Sequence, residues 1–240
     1  MSENTAITHY QIVDGIATIT MTSKPVNALD LTMRRTLTEH LQSADGDDHV
    51  KAIVITSNLP LFCGGADIVE FQTERVWEKP DLPDLCVTIE TSKKPIIAAI
   101  AGPAMGGALE IALACDYRVA TPDALMGLPE IKLGLLPGAG GTQRLPRIVG
   151  LEVASEMILL GDPVKGKYAS SCGLVDALFE NDPDFYKRPR LVSKGWTGCR
   201  RHSRGCWSNR ATPAPELRAW LEVCSSHTPN PTPNPNPNSS

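Results

Sequence analysis

Ile96 to Ala120 read IIAAIAGPAMGGALEIALACDYRVA, and the succession of patterns inside this stretch decides the fold. Ile96 to Ala101 is short and continuously apolar, the pattern of a strand buried on both faces. Glycines at 102, 106 and 107 interrupt it, and Ala108 to Cys115 is then apolar for long enough to form about two helical turns. Tyr117 to Ala120 returns to strand composition. Strand, turn, helix, strand is the βαβ unit, so the chain is read as an α/β protein with parallel pairing. Pro95 to Cys115 has about the length of a membrane span, but Pro103, Gly106-Gly107 and Glu110 fall inside it, and it is read as buried core.

Outward from this unit, Ile7 to Val13 and Ile16 to Met21 are β-rich runs joined by Asp14-Gly15, a two-residue hairpin signal. Asp30 is an N-cap candidate, followed by Met33, Leu37 and Leu41 at helical spacing. Ala52 to Thr56 is a second strand buried on both faces. After Gly150, Leu151 to Leu160 reads as a helix, residues 165–172 as a shorter one and Val175 to Phe179 as a strand. The chain contains no internal repeat.

The 240 residues are 42% hydrophobic and 21% charged, with a net charge of -4, the composition of an ordinary soluble protein. That balance hides an asymmetry. Residues 1–186 carry 14 Lys plus Arg against 25 Asp plus Glu, whereas residues 187–240 carry 9 against 2, with eight of the 20 prolines. The expectation is one domain over 1–186 followed by a basic, Pro-rich tail over 187–240, too poor in apolar residues to offset chain ordering and therefore disordered. The tail's charge could attract nucleic acid or acidic membrane, but it lacks spaced aromatic and basic residues, so neither a specific nucleic acid nor a membrane is expected as a partner. The seven cysteines contain no Cys-x-x-Cys pair. Cys63, Cys86, Cys115 and Cys172 are read as reduced thiols of the core, and Cys199, His202 and Cys206 match no usual zinc spacing, so no metal is expected. With no amino-terminal signal sequence and an Asn-Ser-Ser ending that is not a Ser-Lys-Leu address, cytoplasmic residence is the default expectation.

Glu110 is the only ionisable side chain between Lys94 and Asp116, on a helix apolar on every side. Such a helix is buried, and its carboxylate with it. An ionised carboxylate buried alone costs several kcal/mol or takes up a proton, and acids perturbed in this way serve general acid/base catalysis. A structural ion pair with a distant Lys or Arg would bury Glu110 equally well, and the residue alone does not separate the two. Two loops favour chemistry. Residues 62–68 (FCGGADI) and 101–107 (AGPAMGG) each set glycines where a core strand meets the next element. Glycine allows close backbone approach to a ligand, and free amides at a helix start could stabilise an oxyanion such as a thioester enolate. Residues 138–143 (GAGGTQ) lack the final glycine of GxGxxG, and no GxxxxGK[ST] occurs, so neither is read as a phosphate cradle.

Residues 62–68, 102–116 and 128–145 together resemble the crotonase superfamily, specifically enoyl-CoA hydratases, and are especially similar to the hydratase part of multifunctional fatty-acid β-oxidation enzymes. The resemblance runs continuously over about residues 7–180. It implies a crotonase-like (ββα)n spiral core and carries roles over to this chain by motif. The amides of Ala66 and Gly107 correspond to the oxyanion hole; Glu110 and Glu130 correspond to the two catalytic carboxylates, Glu110 orienting water and Glu130 exchanging the α proton. Lys24, Gly64, Ala66, Ile68 and Gly138 correspond to substrate and CoA contacts, the Gly138 amide also lying where it could hold the water. On its own, Glu130 beside Pro129 and near Lys132 reads as a surface loop residue. Isomerases of this fold commonly keep a base at only one of the two carboxylate positions, so both acids together favour hydration.

The implied reaction is addition of water to trans-2-enoyl-CoA to give 3-hydroxyacyl-CoA, with no cofactor, since CoA enters as part of the acyl-CoA substrate. An enoyl-CoA isomerase and an inactive crotonase scaffold are the alternatives. The resemblance implies a homotrimer or hexamer, but the helices that follow the last family strand are missing from the pattern after Lys187. Val69 stands where many members place a Lys near the CoA phosphates.

Overall fold

The computed structural model describes residues 6–179. The chain opens with an antiparallel hairpin of β1 (Thr8–Val13) and β2 (Ile16–Met21), turned by Asp14 and Gly15, both at positive φ. Helix α1 (Leu31–Gly46) follows; the Asp30 carboxylate accepts from Met33 N, and Met33, Leu37 and Leu41 are buried as the spacing predicts. Strand β3 (Ala52–Ser57), helix α2 (Leu82–Thr91), strand β4 (Ile96–Ile100) and a two-residue strand β5 (Ala104–Met105) lead to α3 (Gly107–Ala114). Next come β6 (Tyr117–Ala120), β7 (Leu125–Gly127), a 3-10 turn at Pro129–Leu133, α4 (Gly141–Val149), α5 (Leu151–Leu159), β8 (Val164–Lys165), α6 (Gly166–Ser171) and β9 (Ala177–Leu178).

The strands form two sheets. The larger runs β1-β2-β3-β4-β6-β9, parallel throughout except for the opening hairpin; the smaller runs β5-β7-β8. Cys63 pairs with Ala104 and so continues the small sheet by one residue. Each pass of the chain therefore leaves a strand of the large sheet, touches the small sheet and enters a helix: β3 to Cys63 to α2, β4 to β5 to α3, β6 to β7 to α4. This is the mixed spiral implied by the resemblance. β3 and β4 are buried along their whole lengths. Alternate side chains feed two clusters: Ile53, Ile55, Ile96, Ala98 and Ile100 pack with the helices, while Val54, Ile97, Ala99 and Val119 face the other way. Burying each large aliphatic side chain contributes about 1.5–3 kcal/mol, so this sheet is the anchor for the loops at its carboxyl ends.

Helix α3 has only eight residues, all buried, and cannot be stable by propensity alone. Arg118, 1% exposed, holds its end: its guanidinium donates to the carbonyls of Ala112 and Cys115 at 3.1 and 3.0 Å and to Leu174 O at 2.8 Å. A cation at a helix carboxyl end satisfies orphan carbonyls and opposes their partial negative charge.

Some expectations need correction. Val175 to Phe179 pairs as a strand only at Ala177–Leu178. Helices α2 and α4 and the small sheet were not read from the sequence. Cys63, Cys86 and Cys115 are buried free thiols and Cys172 is partly exposed, in line with the reading of reduced core cysteines. The separate tail over 187–240, the boundary at 186 and the grouping of Cys199, His202 and Cys206 lie outside the described residues.

Candidate active site

Helix α3 begins in a conformation open only to glycine: Gly106 has φ 55 and ψ -124. Its carbonyl accepts from Glu110 N at 3.0 Å, which fixes Glu110 in the first turn. The Glu110 side chain is 2% exposed, and its Oε1 accepts from Ala139 N at 2.8 Å and Gly141 N at 2.7 Å. Both amides belong to the turn that opens α4, where Gly140 at φ 96 swings the chain so that the amides on either side of it point the same way. Burial raises the pKa of Glu110; the Gly141 and Ala139 amides and the Arg144 charge oppose that rise. The opposition matters, because a carboxylate gripped by two amides can stay ionised where burial alone would neutralise it.

Glu130 sits on the 3-10 turn after β7 and is half-buried rather than on the surface, correcting the reading of the isolated residue. Its carboxylate lies against Gly106, and a β-carbon at that glycine would stand 3.1 Å from Glu130 Oε1. Oε2 is buried without a hydrogen-bond partner among the described residues. Burial, reinforced by the negative charge of Glu110 and opposed by a hydrogen bond from its own backbone, pushes Glu130 up to about 7. Two carboxyl groups thus lie near the start of α3 in different surroundings: Glu110 is held by main-chain donors, and Glu130, with a buried Oε2 that no described group bonds, is pushed up to about 7.

The loop bearing Ala66 is fastened from the β2–α1 connection. Gly64 N donates to Val26 O and Leu29 N to Gly65 O, each at 2.8 Å. Asn27, fully buried, donates from Nδ2 to Phe62 O at 3.1 Å and Ser57 Oγ at 2.8 Å, and its main-chain carbonyl accepts from the Cys63 thiol. Burial pushes that thiol up to about 12, so it remains a donor. Further along, Glu70 ties the loop to α1: Oε1 accepts from Leu31 N at 2.9 Å and Oε2 from Arg34 Nη1 at 2.8 Å, with both side chains buried. These contacts bring Ala66 beside α3, where a β-carbon on Gly107 would be 3.4 Å from Ala66 N. Among the described residues neither the Ala66 nor the Gly107 N–H donates to a protein acceptor. Two unused amides side by side are donors of the kind that can stabilise a developing oxyanion.

Of the sequence-predicted residues, the structure gathers Ala66, Gly107, Glu110 and Glu130 around the start of α3. Lys24, Gly64, Ile68 and Gly138 are all exposed, and the Gly64 amide is already used by Val26. The amides that grip Glu110 come from Ala139 and Gly141, neighbours of the residue singled out. Gly106, which makes room for Glu130, was also missed, as was the Arg144 ion pair to Glu90 that lies behind the α4 turn. The glycine-rich run 138–141 was the visible signal. Among the described residues no group of three or more His, Cys, Asp or Glu side chains is placed to hold a metal ion, and no helix is long and apolar enough to cross a membrane.

Comparison with known proteins places the chain in a family and a fold. The enoyl-CoA hydratase/isomerase family profile matches residues 11–202. A glyoxysomal fatty acid beta-oxidation multifunctional protein from Cucumis sativus is 45% identical over 172 residues, covering 69% of this chain and 24% of the relative. A probable enoyl-CoA hydratase from Bacillus subtilis is 39% identical over 183 residues, covering 74% of this chain and 71% of the relative. The solved structure of Pseudomonas aeruginosa DspI superposes with a TM-score of 0.72 at 34% identity, covering 80% of this chain and 76% of that one. The chain spans about a quarter of the length of the multifunctional relatives it matches.

Proposed function

Because this chain belongs to the enoyl-CoA hydratase/isomerase family, we propose that it adds water to trans-2-enoyl-CoA to give 3-hydroxyacyl-CoA, a lyase reaction of fatty-acid β-oxidation. The observation that carries the reading is the meeting of Glu110, Glu130 and the two unused amides at one helix start. With the thioester oxygen on the Ala66 and Gly107 amides, negative charge leaving the conjugated double bond is stabilised as it builds. Ionised Glu110 accepts a water proton as the water oxygen bonds to the β carbon, and protonated Glu130 delivers its proton to the α carbon. One proton then passes from Glu110 back to Glu130 and restores the starting state. The balance is one water added across one double bond, so the proposal calls for neither metal nor redox cofactor, and CoA enters with the substrate.

Incubation with a short trans-2-enoyl-CoA tests this through loss of the conjugated thioester absorbance. Turnover by the wild-type chain, lost in Glu110→Gln with the fold intact, is the expected result. Equal inertness of both proteins, correctly folded, would leave only the scaffold reading. Conversion of a 3-enoyl-CoA to its 2-enoyl isomer without hydration would replace the hydratase reading with isomerisation. The working compartment is taken as the cytoplasm; relatives named for peroxisomes and glyoxysomes define the alternative, and an amino-terminal fluorescent fusion distinguishes them.

A further inference from the structure

Arg144 lies on α4 behind the turn that grips Glu110. Its Nε and Nη2 form a two-pronged ion pair with Glu90 on α2, at 2.8 Å to Oε1 and 2.9 Å to Oε2. Its Nη1 donates to Ala139 O at 2.5 Å, and its own backbone N donates to Gly140 O at 2.8 Å. The guanidinium lies so closely under the turn that a β-carbon on Gly140 would collide with Nη1. The cation therefore fills the underside of the turn while the upper side presents the Ala139 and Gly141 amides to Glu110. Glu90 in turn fixes the fork, since a guanidinium bound by both carboxylate oxygens has one orientation.

We propose that Arg144, held by Glu90, is the positioning residue that aims the Ala139 and Gly141 amides at Glu110. The proposal deepens the hydratase reading and rests on it for its kinetic consequences alone. Arg144 is given no contact with the reacting atoms; it acts through the turn. The other titratable groups around Glu110 are Glu130 across Gly106, Glu90 behind Arg144, and Cys86 on α2, whose thiol burial pushes up to about 12 and so leaves neutral.

Two measurements test it on the full chain: steady-state hydration kinetics across pH, and carbon-13 NMR titration of the Glu110 side-chain carboxyl, assigned by its loss in Glu110→Gln. Arg144→Met is expected to move the Glu110 midpoint upward and to lower kcat roughly 10- to 100-fold, with KM changed little. Arg144→Lys keeps the charge without the fork, so kcat falls while the Glu110 midpoint stays near the wild-type value. Glu90→Gln gives the same directions more weakly and supplies the reading should Arg144→Met fail to fold. A cooperatively folded Arg144→Met with wild-type kcat and an unmoved Glu110 midpoint would overturn the proposal. If the wild-type chain hydrates no enoyl thioester, the hydratase reading fails by itself, and the NMR midpoints still decide whether Arg144 controls Glu110.

Discussion

The Glu130 carboxylate rests on the α-carbon of Gly106, so close that a β-carbon there would stand 3.1 Å from Oε1. Gly106 thus has two duties: its φ of 55 with ψ -124 starts α3, and its bare α-carbon leaves room for one of the two acids beside the other.

Gly106→Ala should fail on both counts. Strain in a conformation closed to alanine costs of order 1–3 kcal/mol, and the methyl pushes the Glu130 carboxylate out of place. The expected result is a lowered melting temperature together with a fall in kcat of about 100-fold, read by thermal unfolding and the hydration assay. An unchanged kcat would show that the Glu130 position is not set by this glycine.

The pH dependence follows from the two acids. Glu130 must be protonated to give a proton to the α carbon, so kcat/KM for hydration should fall as pH rises through about 7. Glu110 must be ionised, and its pKa is raised by burial, so an acid limb appears above the ordinary carboxylate range. Because the groups interact, both limbs belong to the pair rather than to either residue. A profile flat from mildly acidic to mildly alkaline pH rules out the assigned proton donor.

Stability carries the same signature. A carboxyl whose folded pKa is raised favours the fold in its protonated form; that contribution is complete below the ordinary carboxylate pKa and is lost as pH rises through about 7. Glu130→Gln should therefore be more stable than wild type at mildly alkaline pH, by roughly 1–2 kcal/mol after allowance for partial exposure. The difference should vanish below the ordinary carboxylate pKa. Urea unfolding at the two pH values measures it, and a difference independent of pH would contradict the assignment.

The Arg34–Glu70 pair, buried on both sides at 2.8 Å, fastens the loop that presents Ala66. Removing either partner leaves an uncompensated buried charge, at a cost of about 3–5 kcal/mol. Arg34→Met and Glu70→Gln should each lower stability by that order, and the double variant by much less than their combined effects. Additive losses in denaturant unfolding would show that the two side chains do not act as a pair.

How much of this was legible depended on range. Asp14-Gly15 and Asp30 act within a few residues, and the hairpin and the α1 cap stand where they were read. Glu110 stood out because a lone carboxylate in an apolar helix has few physical explanations. Glu130 did not: Pro129 and Lys132 mark it as surface, and its burial comes from Gly106, which is distant in sequence. The small sheet has strands of two or three residues, too short to show a period of two. Helix α4 carries Pro146 and opens on glycine, so local preference argued against it. Which amides of 138–141 point inward depends on the φ of Gly140, a property no composition displays.

The four donors assigned to the site, from Ala66, Gly107, Ala139 and Gly141, are all peptide nitrogens. An alanine scan removes none of them: two already belong to alanine, and at the two glycines it adds a methyl rather than deleting a donor. Their loss has to be engineered in the polymer itself, by exchanging a single peptide link for an ester, which deletes one hydrogen and spares the side chains. Inherited damage at these positions would arise from added bulk or altered curvature, and a survey confined to side-chain chemistry would misfile it as a folding defect.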